Sequence, residues 1–431
     1  MDKISTQDLY KIYKQHPIIS KDSRKIIPSC LYFSLKGESF DGNKFAEQAL
    51  KDGAAYAIVD DINYVTNKNC LLVEDGLKAL QDLAIFHRKQ LNIPFIGITG
   101  SNGKTTTKEL IYQVLKSHYN CYATEGNYNN HIGVPLTILS IKNSHEMAIV
   151  EMGANHQGEI DFLCSIAQPN YGLITNIGKA HLEGFGGIEG IKKGKSELYR
   201  FLKKSNGLIF RNGDDQVLAE LAEGMKAITY GSNKENNCIG EIINAKPNIE
   251  FKWQYKNENG KAKTQLYGSY NFYNMLAAAC IGNYFNVPSE KITTALESYQ
   301  SHNNRSQFIK NKKGEIYLDA YNANPTSMLA ALENFKSIKK ATQLVILGDM
   351  FELGEEGYKE HFEIIKQVAK MSFEKACFVG KNFYEHHKSH SDFVFFKSTD
   401  EAKAWFSKQD INNHQVLIKG SRGMAMEKLL D

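Results

Sequence analysis

Gly97-Ile-Thr-Gly-Ser-Asn-Gly-Lys-Thr-Thr-Thr107 follows a short apolar stretch and runs into a helical pattern. A loop between a strand and a helix, built on two glycines and a lysine, is where a phosphate cradle sits. Gly100 and Gly103 let backbone N–H groups approach phosphate oxygens across Ser101 and Asn102, the helix beginning near Lys104 turns its positive dipole end inward, and Lys104 adds a mobile charge. Thr105 or Thr106 is placed to ligate magnesium. The long form of the motif carries a glycine five residues before Gly103, where Ile98 stands, so only the shorter Gly-x-x-Gly-Lys-Thr is satisfied. An ordinary glycine turn is the competing reading. The stretch predicts a nucleoside triphosphate site and leaves open whether it serves a switch, a kinase, a motor or a ligase.

The 431 residues exceed what one core usually supports, so two or three domains are expected. The net charge of +4 is small and is not gathered into a stripe, so no nucleic-acid partner is required and an anionic small molecule suffices. The seven cysteines, at 30, 70, 121, 164, 238, 280 and 377, lie far apart and form no C-x-x-C pair, which predicts buried free thiols in a reducing compartment. Met-Asp-Lys-Ile-Ser-Thr-Gln lacks a signal pattern, and no apolar run approaches the roughly 18 residues needed to cross a bilayer. A soluble cytoplasmic protein without stable membrane insertion is expected.

The fold class predicted is α/β. Around the loop, apolar runs at 95–99, 147–150, 171–174 and 208–210 alternate with helical patterns and predict a mostly parallel sheet, with ligands at the strand carboxyl ends. Upstream, strands at 31–35 and 54–59 flank a helix at 44–52, and a helix at 77–90 leads to Asn92 and Pro94. Downstream, 238–267 reads as a hairpin extension, followed by helices opening near Asn271 and covering 289–296. The polar stretch 301–306 marks a boundary, and strands at 315–318, 344–347, 376–379, 393–396 and 416–418 form a third α/β pattern that lacks the Gly-x-Gly-x-x-Gly fingerprint. The Lys/Asn-rich patch 311–313 reads as a surface loop.

Three further segments narrow the chemistry. Gly126-Asn-Tyr-Asn-Asn-His-Ile-Gly133 is dense in amides, so Asn127 and Asn130 fit a phosphate or sugar as readily as a turn. In Val150-Glu151-Met-Gly-Ala154 a carboxylate ends an apolar strand near the phosphate loop, where a hard cation wants oxygen; capping the next turn is the alternative. Asn176-Ile-Gly-Lys-Ala-His181 leads to a helix carrying Lys192, Lys193 and Lys195. By themselves, the histidine reads as structural and the lysines as a solvated face.

Taken in order, Thr99-Gly-Ser-Asn-Gly-Lys-Thr-Thr106, Gly126-Asn-Tyr-Asn-Asn130, Glu151-Met-Gly-Ala154, Asn176-Ile-Gly-Lys-Ala-His181 and Lys195-Ser-Glu197 resemble the Mur ligases of peptidoglycan synthesis. Asp319-Ala-Tyr-Asn-Ala-Asn-Pro-Thr-Ser-Met328, Leu347-Gly-Asp-Met-Phe-Glu-Leu-Gly354 and Lys419-Gly-Ser-Arg-Gly-Met424 are similar to the branch of that family that adds D-alanyl-D-alanine to UDP-N-acetylmuramoyl-tripeptide. The resemblance implies a small N-terminal UDP-substrate domain at 1–92, a central ATP-binding domain at 93–304 and a Rossmann-like C-terminal domain at 305–431. It implies ATP and two magnesium ions. Lys104 would serve the ATP phosphates, Thr105 and Glu151 a first magnesium, and His181 with an N-carboxylated Lys195 a second. Asn271 and Asn274 would sit beside the adenine, with Arg305 and Asp319 reaching the nucleotide across the domain boundary. Tyr321, Asn322 and Asn324 would stand near the incoming dipeptide.

The segments Asp22-Ser23-Arg24 and Ser34–Phe45, with Lys36, Gly37 and Asp41, are similar to the family's UDP-sugar pocket, and otherwise read as a loop and a turn. Two departures touch the adenine side: Tyr270 stands where relatives commonly have histidine, and Asn304 where glycine is common. A monomer is expected. A sister ligase adding a diamino acid, or glutamates to folate, is the nearest rival, and Tyr321-Asn-Ala-Asn-Pro325 argues against both. A binding protein that keeps the fold without turnover is the rival of another class, opposed by the joint presence of Lys104, Glu151, His181 and Lys195.

Overall fold

In the computed structural model, residues 2–431 are described apart from Pro247, His302, Asn303, Lys312, Lys313 and 339–341. Parts of the polar boundary at 301–306 and of the patch at 311–313 therefore lie outside the described residues.

Phe95–Thr99 is buried along its whole length. A strand covered on both faces needs such an uninterrupted apolar run, and a central parallel strand is the usual place for it. It pairs in parallel with Met147–Glu151 on one side and Tyr171–Ile174 on the other. The sheet continues in parallel through Leu208–Asn212, Ala227–Gly231 and Cys238–Asn244, then turns antiparallel into Glu250–Tyr255 and Glu258–Lys263, while Cys121–Ala123 closes the opposite edge. The expected hairpin at 238–267 is thus a three-stranded extension of this nine-stranded sheet.

One face of the sheet packs Lys104–Lys116 and Phe272–Tyr284 through Leu110, Ile111, Val114 and Leu276. The other face packs Glu159–Ala167 and Glu197–Lys204 through Ile160, Leu163, Leu198 and Leu202. The sequence supplies glycine where those helices come closest: a Cβ at Gly97 would meet Met152 and Leu198.

The N-terminal body is a parallel sheet in the order Ile19–Ser20, Leu31–Phe33, Tyr56–Val59, Cys70–Leu72. Its helix Gly76–Arg88, capped by Asp75, ends against the middle body. Arg88 Nε and Nη2 donate to the Ala167 and Gln168 carbonyls, each at 2.8 Å, and the guanidinium lies 3.7 Å from the Phe95 ring centre. Burial pushes this guanidinium down to about 10.

The third body is a six-stranded sheet in the order Gln307–Asn311, Gly314–Asp319, His414–Lys419, Thr342–Gly348, Lys375–Val379, Val394–Phe396, parallel except for its first pair. All seven cysteines are buried free thiols. Among the described residues no helix is long and apolar enough to cross a membrane.

Candidate active site

The carboxyl ends of the middle and third sheets face one cavity of about 670 Å³. The loop after Phe95–Thr99 forms its floor. Gly100 has φ +142°, and a Cβ there would collide with Thr175 Oγ1; Gly103 has φ +79° and would press on the Asn274 amide at 3.0 Å. Glycine answers both demands at once, a left-handed backbone and a close approach. The loop is also clamped from the Tyr171–Ile174 side. Asn102 N–H donates to Asn176 Oδ1 at 3.1 Å, Thr175 Oγ1 donates to the Asn102 carbonyl at 2.6 Å, and Ser101 Oγ donates to the Gly178 carbonyl at 2.9 Å. Lys104 begins the helix, and its Nζ donates to the Gly100 and Ser101 carbonyls at 2.7 and 3.2 Å. Burial holds this ammonium below its ordinary value, opposed by Glu151 and reinforced by Arg305.

Glu151 ends its strand only 1% exposed. Its Oε1 accepts from Thr105 Oγ1 at 3.2 Å and from Asn129 Nδ2 at 2.8 Å. Its Oε2 is buried without a hydrogen bond, and Lys108 Nζ stands 3.8 Å away, too far to donate. A buried carboxylate oxygen left without a donor, beside a threonine hydroxyl and a phosphate-type loop, suits a hard divalent cation. Of the two threonines raised by the motif, it is Thr105 that meets Glu151. Among the described residues no three His, Cys, Asp or Glu side chains converge as a metal cluster, so a cation at this place would have to draw also on hydroxyl, amide or ligand oxygens.

His181 caps the short helix Leu182–Phe185 in a left-handed conformation, φ +56°. Its Nδ1 lies 2.5 Å from Glu352 Oε2 of the third body, and this imidazole holds the Glu352 carboxyl below its usual range. Lys195 stands on the helix Ile188–Lys195 with no exposed surface. Its Nζ donates to the Ala154 carbonyl at 2.9 Å and lies 4.8 Å from the Phe185 ring centre. Burial drives this amine far below the ordinary lysine value, with the Lys104 charge adding to the effect. Lys195 does not itself line the cavity, which it approaches through Ala154. The solvated-face reading of that lysine is therefore wrong: the helix turns its last residue inward.

Ser101, Asn102, Gly103, Lys104, Thr105, Thr106, Asn127, Asn130, Glu151, His181, Asn271, Asn274, Arg305, Asp319, Tyr321 and Asn322 all line the cavity. Asn324 reaches it by donating from Nδ2 to Asn102 Oδ1 at 2.7 Å. Asn274 Nδ2 donates to Asn271 Oδ1 at 3.0 Å. Asn304 adopts φ +56°, a left-handed position that asparagine tolerates better than most residues, which accounts for its standing in a glycine's place. Tyr270 lines the cavity and its hydroxyl pairs with Ser306 Oγ at 3.2 Å.

Ser23, Arg24, Lys36, Gly37 and Asp41 lie outside this cavity. Arg24 is paired with Asp22 at 2.9 Å and Lys36 with Asp60 at 2.8 Å, while Asp41 caps a turn by accepting from Asn43 N–H. Lys36–Gly37 and Phe40–Asp41 form a two-stranded hairpin. Lys21, next to this N-terminal group in sequence, lies 5.3 Å from the ring centre of Tyr128 in the amide-rich loop.

Asn129 and Glu352 stand inside motifs quoted above, but nothing in those motifs singles them out as the partners of Glu151 and His181. Lys179 N–H donates to Thr326 Oγ1 at 3.0 Å and Lys179 Nζ pairs with Glu360 at 2.5 Å, tying the middle body to the third.

A phosphate-type loop, a strand-end carboxylate and a third body closing over both define an enzyme acting on a nucleoside triphosphate and a second substrate. Residues 98–282 match the family described as Mur ligase middle domain, 304–422 the Mur ligase, glutamate ligase domain, and 17–90 the Mur ligase family, catalytic domain; the chain belongs to the Mur ligase family. It is 34% identical to the UDP-N-acetylmuramoyl-tripeptide–D-alanyl-D-alanine ligase of Bacillus subtilis, over 96% of this chain and 92% of that one. It is similar to the crystal structure of MurF from Acinetobacter baumannii, with a TM-score of 0.88 at 30% identity covering 100% of this chain and 98% of that chain. The MurF ligase of Thermotoga maritima in complex with ADP gives a TM-score of 0.84 at 25% identity, covering 96% of each.

Proposed function

We propose that this protein is an ATP-dependent amide ligase that joins D-alanyl-D-alanine to UDP-N-acetylmuramoyl-tripeptide in cytoplasmic peptidoglycan precursor synthesis. The observation that carries the reading is the meeting, around one cavity, of the phosphate loop with the 319–324 segment, through Asn102 and Asn324. A phosphate site alone would suit many enzymes. A phosphate site shared with a second body suits a reaction in which a phosphorylated substrate meets another nucleophile.

The reaction has two steps. The terminal carboxylate of the tripeptide attacks the γ-phosphorus of ATP, forming an acyl phosphate and releasing ADP. The amine of D-alanyl-D-alanine then attacks the acyl carbon, loses a proton, and the tetrahedral adduct collapses to the amide and phosphate. Lys104, freed from the loop carbonyls it now holds, follows the negative charge onto the phosphoryl oxygens; the loop N–H groups orient them. Thr105 and Glu151 would hold one magnesium ion and His181 with Lys195 a second. Magnesium, when bound, neutralises charge that grows on the transferred phosphoryl group. Lys195 suits its part because burial pushes its amine far below the ordinary lysine value and so favours the neutral form: a neutral amine adds carbon dioxide, loses a proton and would become an anionic oxygen donor. Asn271, Asn274, Arg305 and Asp319 would hold the nucleotide. Tyr321, Asn322 and Asn324 would receive the dipeptide, and Ser23, Arg24, Lys36, Gly37, Asp41, Asn127 and Asn130 the UDP-sugar. The domain limits 1–92, 93–304 and 305–431 and a monomeric state belong to the same reading.

ADP release measured with UDP-N-acetylmuramoyl-tripeptide, with and without D-alanyl-D-alanine, tests it. Sustained turnover only with that dipeptide is expected. Turnover with a diamino acid or glutamate in its place would transfer the protein to a sister reaction.

A further inference from the structure

Among the described residues, four Lys or Arg side chains line the cavity: Lys104, Arg305, Lys419 and Arg422. Lys104 serves the phosphate loop, and Lys419 Nζ is held by Asp319 Oδ2 at 2.6 Å and the Asn322 carbonyl at 3.2 Å. The two arginines differ. The Arg305 guanidinium lies 3.4 Å from the centre of the Tyr321 ring and that of Arg422 lies 4.8 Å from the same centre. Among the described residues neither forms an ion pair with a carboxylate. Two like charges gathered on one ring, in a cavity, repel each other, and an anion placed beside the ring relieves that repulsion.

Stacking on an aromatic ring engages the face of a guanidinium and leaves its in-plane N–H groups free, and those are the groups that grip a carboxylate in bidentate fashion. Arg422 stands on a firmly held loop. Ser421 N–H donates to the Asp349 carbonyl at 3.1 Å, and Ser421 Oγ accepts from Phe351 N–H at 3.0 Å. The scale also fits. Asn324 touches the phosphate loop, and Tyr321, three residues earlier, lies at most about 10 Å further along the chain. An extended dipeptide places its carboxylate about 7 Å from its amine. An extended dipeptide is thus of the same order of length as that path, so that with its amine directed at the acyl phosphate its carboxylate can extend toward the Tyr321 ring.

We infer that Arg422 binds the free carboxylate of the incoming dipeptide and so selects acceptors that end in a carboxylate. This rests on the ligase reading above. With Lys104 on the phosphate loop, Arg305 assigned to the nucleotide and Lys419 paired, Arg422 is the remaining Lys or Arg among the described residues lining the cavity.

The test compares D-alanyl-D-alanine with its C-terminal amide as acceptors for the wild-type protein, Arg422→Met and Arg422→Lys. The wild type is expected to favour the acid over the amide by about 10- to 100-fold in kcat/KM, the scale of a lost charge-assisted hydrogen bond. Arg422→Met should lower the acid to the level of the amide through KM, leave the amide within about twofold, and leave the KM for ATP unchanged; Arg422→Lys should recover part of the preference. Equal losses on both acceptors, or a preference that survives in Arg422→Met, overturn the inference while leaving the ligase reading intact. A wild-type protein that turns over neither acceptor overturns both.

Discussion

Asn324 does two jobs with its two amide atoms: Oδ1 accepts from Ser327 N–H at 2.9 Å, capping the helix Pro325–Ser337, and Nδ2 donates to Asn102 Oδ1 at 2.7 Å. A helix of the third body is therefore started by the residue that touches the phosphate loop of the middle body. Any shift of that loop is felt at the first turn of the helix.

The two roles separate by substitution. Asn324→Asp keeps a good cap, so urea midpoints should stay close to wild type, whereas Asn324→Ala should lose about 1 kcal/mol. The aspartate cannot donate to Asn102 and brings a carboxylate toward the phosphates, so its kcat/KM for ATP should fall about tenfold or more. Wild-type ATP kinetics in Asn324→Asp would show that the contact does not matter to turnover.

Lys104→Ala should lower turnover about a hundredfold or more, the scale seen when one transition-state donor is removed. Rates near wild type would take the loop out of the mechanism.

Lys195 should carry a carbamate. Protein equilibrated with carbon-13 bicarbonate should give a carbamate resonance that is missing from Lys195→Ala, and that variant should be nearly inactive. A wild-type spectrum without the resonance, at a bicarbonate concentration that saturates activity, counts against it.

Asp60 provides a pH signature in the N-terminal body. Burial pushes its carboxyl up, but Lys36 at 2.8 Å, the Asn43 amide at 2.7 Å and Gly76 N–H at 3.2 Å outweigh that and leave it below the ordinary value. The folded pKa lies under the unfolded one of about 3.9, so the stabilisation is complete above that pH and is lost as pH falls through the folded value. The difference in urea stability between wild type and Asp60→Asn should be constant from about pH 8 to pH 5 and shrink below about pH 4. A difference that does not change with pH would mean that the charge on Asp60 is not what stabilises this corner.

The middle body was the most legible in sequence because its signals are local. The loop glycines, the apolar strand before them and the carboxylate ending Met147–Glu151 all sit within short windows. The N-terminal body was harder to read, since strands of two or three residues such as Ile19–Ser20 and Cys70–Leu72 are too short for alternation to show. Lys195 looked like one of several helix-surface lysines; only the packing of Phe185 against it reveals that it is enclosed. The Glu352 carboxylate beside His181 was out of reach of any window, because the two are brought together by the closure of one body on another.

Both margins of the nine-stranded sheet discourage strand addition. One is the three-residue Cys121–Ala123. The other, Glu258–Lys263, turns Lys261 and Lys263 outward, ties Lys261 to Glu250 at 2.7 Å and lets Trp253 lie against Gly260. Charged, short or bent margins are how sheets avoid templating a neighbour. The antiparallel extension thus acts as a terminator: a sheet wide enough to carry one side of the cavity is kept from recruiting copies of itself in a crowded cell.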